Sequence, residues 1–176
     1  MNLTVNKIDK ILSNESFCGV HSIDDQLRDG YFHTLLRSAY LYKVCINGIT
    51  VAYYMINFKS YSLDTFSEIE DISDYFIGEQ KSVLALHIQY IAVHKNFQKN
   101  GIGKALLRHI ISTAKNHSLN CPFRIITLDA FTHLESWYAS FGFVPVGRKP
   151  ESSSTIMMML DLISPAEFNN FKSLIE

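Results

Sequence analysis

The chain has 176 residues, 47% of them hydrophobic and 19% charged, with a formal net charge of −1. That balance predicts one globular domain over residues 1–176 with a substantial core, and it gives no bulk attraction to nucleic acid or to an anionic membrane. The longest apolar runs are too short to span a bilayer, the start MNLTVNKIDK lacks a secretion-signal layout, and the cysteines (Cys18, Cys45, Cys121) are odd in number and far apart; a cytoplasmic protein without membrane contact, disulfide framework or metal site is expected.

Leu3 to Val5 reads as a short first strand. Ser22 to Ala39 reads as a helix, with Ile23, Leu27, Tyr31 and Leu35 repeating at a spacing of four and Gly30 as a break or kink within it. Tyr40 to Ile46 is rich in β-formers, Asn47-Gly48 is a strong hairpin signal, and ITVAYYMINF supplies the return strand. Lys59 to Lys81 carries Asp64, Glu68, Glu70, Asp71 and Asp74 and reads as a partly helical surface excursion. A long strand, Val83 to Val93, leads through a polar loop into a helix from Gly101 to His117. Ile102, Leu106, Ile110 and Ala114 form that helix's apolar line, with Lys104, Arg108 and Lys115 opposite. Phe123 to Leu128 is a strand, and Leu134 to Phe141 a short helix stopped by Gly142. Phe143 to Val146 and Thr155 to Leu160 are two further strands, and Pro165 to Ile175 a terminal helix. The order predicts an α/β fold with a mixed sheet and helices on both faces, distinct from a plain alternating βαβ array.

The loop before the second long helix, Gln98-Lys99-Asn100-Gly101-Ile102-Gly103, raises the functional question. A dinucleotide fingerprint needs a third glycine where Leu106 stands, and a Walker loop needs a hydroxyl where Ala105 stands. A third chemistry survives. The first N–H groups of a helix lack internal acceptors and lie at the positive end of its dipole, so small residues there let a phosphate approach the backbone. Lys99 and Lys104 add charge. On the glycines alone, a tight helix entry packed on the sheet explains the turn equally well.

The spacing adds more. Gln98-x-x-Gly101-x-Gly103 follows the strand end Ile91-Ala92-Val93, and Trp137-Tyr138-Ala139-Ser140-Phe141-Gly142-Phe143 follows downstream. Together, from about Tyr40 to Leu160, these motifs resemble the GNAT superfamily of acetyl-CoA-dependent N-acetyltransferases. The resemblance implies a mostly antiparallel, splayed central sheet. It also implies that Gln98, Lys99, Asn100, Gly101, Ile102, Gly103 and Lys104 hold the pyrophosphate of coenzyme A, with the backbone of Ile91, Ala92 and Val93 receiving the pantetheine arm. Tyr138 would protonate the departing thiolate, as a phenol with a pKa of about 10 can; its ordinary alternative is an aromatic packed beside Trp137 and Phe141. His87 and Gln89, alternating on the strand, and Asp129 are the candidates for accepting the amine's proton, each with an ordinary structural alternative.

The reaction implied is direct attack of a primary amine on the acetyl group, without an acyl-enzyme and without a metal. Phe17-Cys18-Gly19, followed by Ile23-Asp24 and Leu27, together with Asp129-Ala130, is similar to GNAT toxins of bacterial toxin–antitoxin pairs, which acetylate aminoacyl-tRNA. The spacer usual between the Phe and the Cys is missing here. The leading reading is an acetyltransferase acting on a primary amine; its alternatives are a toxin acting on aminoacyl-tRNA and a non-catalytic coenzyme A-binding regulatory module. Candidate partners are the amine-bearing acceptor, a second copy of the chain, and, on the toxin resemblance, aminoacyl-tRNA and an antitoxin.

Overall fold

The computed structural model describes residues 3–10, 12, 17–69, 81–147 and 153–173. Its strands are β1 (Thr4–Lys7), β2 (Tyr40–Ile46), β3 (Ile49–Ser62), β4 (Ser82–Val93), β5 (Ile125–Phe131), β6 (Val144–Pro145) and β7 (Thr155–Asp161). Its helices are α1 (His21–Leu35), α2 (Ile102–Ser118), α3 (Glu135–Ala139) and α4 (Pro165–Lys172). The seven strands make a mixed, mostly antiparallel sheet, as expected. The chain forms two compact units, Met1–Phe58 with His87–Ile110, and Lys59–Leu86 with Ile111–Glu176.

In the first unit the strand order is β1-β2-β3-β4. β2 and β3 form the hairpin that Asn47-Gly48 announces. Asn47 has φ 49° and Gly48 φ 79°, the two left-handed residues that a tight turn compatible with strand twist demands. The register pairs Tyr42 with Tyr54, whose rings stack at 4.9 Å and 9°. The core gathers Leu27, Leu41, Tyr53, Met55, Tyr90 and Ala92.

Gly30 does not break α1, which runs unbroken from His21 to Leu35. The glycine is there for space: a Cβ built on it would overlap Leu41 Cδ2, and Leu41 is fully buried. Packing, not backbone freedom, selects the residue. Gly30→Ala should therefore destabilise despite a helix-propensity gain of about 1 kcal/mol. Overpacking typically costs about 1–3 kcal/mol, so a net loss is expected. A melting temperature equal to or above that of the parent would mean that Leu41 yields freely.

In the second unit β5 and β7 pair antiparallel from Ile125↔Asp161 to Phe131↔Thr155, and β6 pairs with the other side of β7. The core is Phe66, Val83, Ala85, Ile125, Val146 and Met159. The excursion after β3 is therefore less superficial than expected. β3 continues to Ser62, a 3-10 turn follows at Leu63–Phe66, and Phe66 is fully buried. The acidic residues Glu70, Asp71 and Asp74 lie outside the described residues. Arg124 donates to both carboxylate oxygens of Asp161, from Nε at 2.8 Å and from Nη2 at 2.5 Å, anchoring the start of β5. Ser164-Pro165-Ala166-Glu167 is a capping box with proline at the first helical position: Ser164 N donates to Glu167 Oε2 and Glu167 N to Ser164 Oγ.

Burial raises the phenol pKa of Tyr42, Tyr53, Tyr54, Tyr61 and Tyr90, and pushes Tyr138 up to about 12. Above pH ~10 the unfolded chain gives up these protons while the folded chain keeps them, so stability falls as pH rises. The stabilisation is whole below pH 10 and declines through pH 12. Urea midpoints should drop between pH 9 and pH 11; a midpoint that stays level across that interval would show that these rings are solvated.

Candidate active site

The first group of site residues lies in the first unit, where β4 ends. Ala92 is buried, Ile91 and Val93 half-buried. Past the strand, His94 N donates to Val51 O at 2.9 Å and Lys95 N to Phe17 O at 3.0 Å. A 3-10 turn, Lys95–Phe97, leads to Gln98, whose Nε2 donates to Val93 O at 3.0 Å and to Cys18 O at 2.8 Å. Lys99 (φ 62°) and Gly101 (φ 76°) are both left-handed on either side of Asn100. Gly101 O accepts from Ala105 N at 3.0 Å, which sets the start of α2 and leaves the N–H groups of Gly101 to Lys104 without acceptors in the helix. Nothing stands within 4 Å of a Cβ built on Gly101, and Lys99, Asn100 and Lys104 are exposed, while the Ile102 side chain is buried. An open, glycine-floored set of N–H donors flanked by two lysines can cradle an anion.

All seven residues expected to hold pyrophosphate thus share one turn, but they contribute differently. Ile102 can offer only its backbone N–H, because its side chain belongs to the core. Both hydrogens of the Gln98 side-chain amide are occupied by backbone carbonyls, so that side chain shapes the turn. Cys18 comes to this turn from far away in sequence, and its thiol is pushed up to about 11, by burial first and then by the Asp24 carboxylate. A thiol so held stays protonated and is no nucleophile.

The second group lies in the second unit. A 3-10 turn, Thr132–Leu134, leads from β5 into α3, which carries Trp137 and Tyr138. α3 ends with Gly142 N donating to Ala139 O, and Gly142 has φ 91°, the left-handed exit that its glycine predicts. The Tyr138 ring meets Trp137 edge-on at 4.7 Å and Phe143 at 5.9 Å. No described residue hydrogen-bonds its hydroxyl. Burial holds the phenol protonated, as a proton donor at neutral pH requires. Asp129 is exposed on β5, and in the first unit His87 is buried on β4 with partners of its own. Residues 70–80 of the acidic excursion and residues 148–152 lie outside the described residues.

Residues 74–159, which include both the glycine turn and Tyr138, match the family described as "Acetyltransferase (GNAT) domain". Those residues, just under half of the chain, carry a GNAT acetyltransferase domain. Solved structures of similar fold include proteins described as toxins. AtaT complexed with acetyl-methionyl-tRNAfMet aligns over 99% of this chain and 100% of its own, with a TM-score of 0.75 at 16% identity. A tyrosine-to-phenylalanine mutant of AtaT, bound to acetyl-CoA and the C-terminus of the antitoxin AtaR, covers 98% of each chain with a TM-score of 0.68 at 15% identity. A tyrosine-to-phenylalanine mutant of KacT covers 89% of this chain and 94% of its own, with a TM-score of 0.69 at 13% identity. At such identities the likeness establishes the fold alone. No curated protein matches the chain.

Proposed function

We propose that the protein transfers the acetyl group of acetyl-CoA to the amino group of an aminoacyl-tRNA, as a toxin-type GNAT enzyme. The observation that carries the acceptor is the end-to-end alignment with AtaT, a protein seen with acetyl-methionyl-tRNAfMet, including the N-terminal segment Phe17 to Asp24. Local charge supports it despite the net charge of −1. α2 contains no Asp or Glu, and beyond Lys99 and Lys104 of the cofactor turn and Lys115, which is paired with Glu167, Arg108 is exposed along it and Lys95 just before it. Phosphate backbones are held by such clusters, whatever the total charge.

The donor site rests on the turn. Its N–H groups and lysines fit a pyrophosphate, and the backbone of Ile91, Ala92 and Val93 would orient the pantetheine arm, with the Val93 carbonyl shared with Gln98. Acetyl-CoA supplies an acetyl group activated as a thioester. Tyr138 Oη holds a proton for the thiolate that leaves. His87, Gln89 and Asp129 remain the candidates for taking the amine's proton. An antitoxin partner, a homodimer and a cytoplasmic location belong to the same reading; no helix among the described residues is long and apolar enough to cross a membrane.

The test is acetyl transfer from labelled acetyl-CoA to charged tRNA, beside polyamines, free amino acids and peptide N-termini. Labelled N-acetyl-aminoacyl-tRNA is the expected product. Transfer to a small amine alone would keep the acetyltransferase and remove the tRNA. Coenzyme A binding with no transfer to any acceptor would favour the regulatory module.

A further inference from the structure

We propose that Asp24 and Gln98 are positioning residues of the coenzyme A turn, joined into one brace through the backbone of Phe17 to Gly19; the inference rests on the turn being the cofactor site. The brace starts in the first turn of α1, where the Asp24 carboxylate accepts from Cys18 N at 2.9 Å and from Gly19 N at 3.3 Å. Asp24 N in turn donates to Val20 O at 2.9 Å, so the carboxylate is fixed to the helix that begins there. A carboxylate at a helix N-terminus is favourably placed by the helix dipole. The loop so held presents Cys18 O to the Gln98 amide at 2.8 Å, while the same nitrogen donates to Val93 O at 3.0 Å. A second tie runs beside the first: Phe17 O accepts from Lys95 N at 3.0 Å, and the Phe17 ring packs edge-on against Tyr53 at 4.8 Å and His94 at 5.0 Å.

The geometry explains why a surface glutamine uses both donors inward. The turn it begins holds Lys99, a non-glycine residue, in a left-handed conformation, which persists only where the surroundings over-determine it. Fixing Gln98 at both the strand end and the Cys18 loop fixes where α2 starts, and so where its free N–H groups point. It also gives a physical role to Phe17-Cys18-Gly19 and Asp24: the segment serves the cofactor turn through its backbone and not through the Cys18 thiol.

Binding of coenzyme A by calorimetry, with KM and kcat for acetyl-CoA, tests the brace in the full chain. Gln98→Ala should weaken coenzyme A binding roughly 10-fold or more and raise KM in step, with kcat changed less than about threefold. Asp24→Asn, which keeps one acceptor oxygen, should do less than Asp24→Ala. The double variant Asp24→Ala with Gln98→Ala should bind hardly more weakly than Gln98→Ala alone, because both cut one chain of contacts. Gln98→Arg, which restores N–H donors, should recover most of the affinity. A purely structural role would lower the melting temperature of the unliganded variants and leave the dissociation constant alone. Wild-type affinity in folded Gln98→Ala, or fully additive losses, would overturn the brace while leaving the cofactor site intact. Should Asp24→Ala fail to fold, the exposed Gln98 series decides by itself. No coenzyme A binding by the wild type would overturn the cofactor reading and the brace with it.

Discussion

Gly103→Glu should abolish coenzyme A binding and leave a folded chain. Gly103 lies in the first turn of α2, not among the residues with positive φ, so a side chain there meets no backbone strain. Replacing a helical glycine gains about 0.5 kcal/mol or more in propensity. An acid in a first turn adds about 0.3–1 kcal/mol with the dipole. Both terms favour the folded variant. The same carboxylate lies among the N–H groups that would face a pyrophosphate, and it competes for them with charge of the wrong kind. Wild-type protein should gain about 2.7 kcal/mol at ligand a hundred times its dissociation constant. For a chain of this size that is a melting shift of about 5–10 °C. The variant should show a normal melt and no shift. The pairing of unchanged fold with lost binding is what separates a cradle from a packing turn: a wild-type shift in Gly103→Glu would reduce the glycines to helix packing. Gly101→Glu is the weaker test, since its φ of 76° would strain any side chain.

How far the sequence reached depends on whether a feature is local. Asn47-Gly48 and Gly142 were legible because a left-handed backbone leaves its mark on the residue that adopts it. The strand, turn and helix around Gly101 were legible for the same reason, reinforced by motif spacing. Gly30 was misread by that very rule, for its cause is a neighbour across the core, Leu41, that no local pattern reveals. Phe66 looked like part of a polar excursion because its burial comes from residues such as Ile125 and Met159. The tie between Gln98 and Cys18 spans 80 residues of sequence, and no periodicity carries such a contact. Phe17-Cys18-Gly19 could be noticed as a signature, but its reason lay in the turn it supports.

Tyr138→Phe should lower the single-turnover acetyl-transfer rate by about 10²-fold with nearly unchanged affinity for acetyl-CoA. The substitution removes one hydroxyl and keeps a ring packed on Trp137 and Phe143. Because no described residue hydrogen-bonds that hydroxyl, nothing is left unsatisfied, and stability should hold or rise slightly. A hydroxyl on a half-buried ring that pairs with no described residue adds little stability, which fits a role toward a substrate. If Tyr138 Oη protonates the thiolate, the interaction exists mainly in the transition state, and kcat and kcat/KM fall together. General acid catalysis is worth about 10²–10⁴-fold. Burial pushes the phenol up to about 12, above its ordinary value of about 10. That keeps the donor loaded at any working pH but makes the transfer less downhill, by about 1.4 kcal/mol for each unit, so the low end of the range is expected. The pH profile offers a second check. Ionisation of Tyr138 should not depress the wild-type rate until pH approaches 12, so a fall centred near pH 10 would place the phenol in water. Single-turnover measurement is needed because slow product release can mask a chemical defect. A variant that keeps nearly the full single-turnover rate would make Tyr138 a packing residue, and the proton for the thiolate would then have to come from water or from the acceptor.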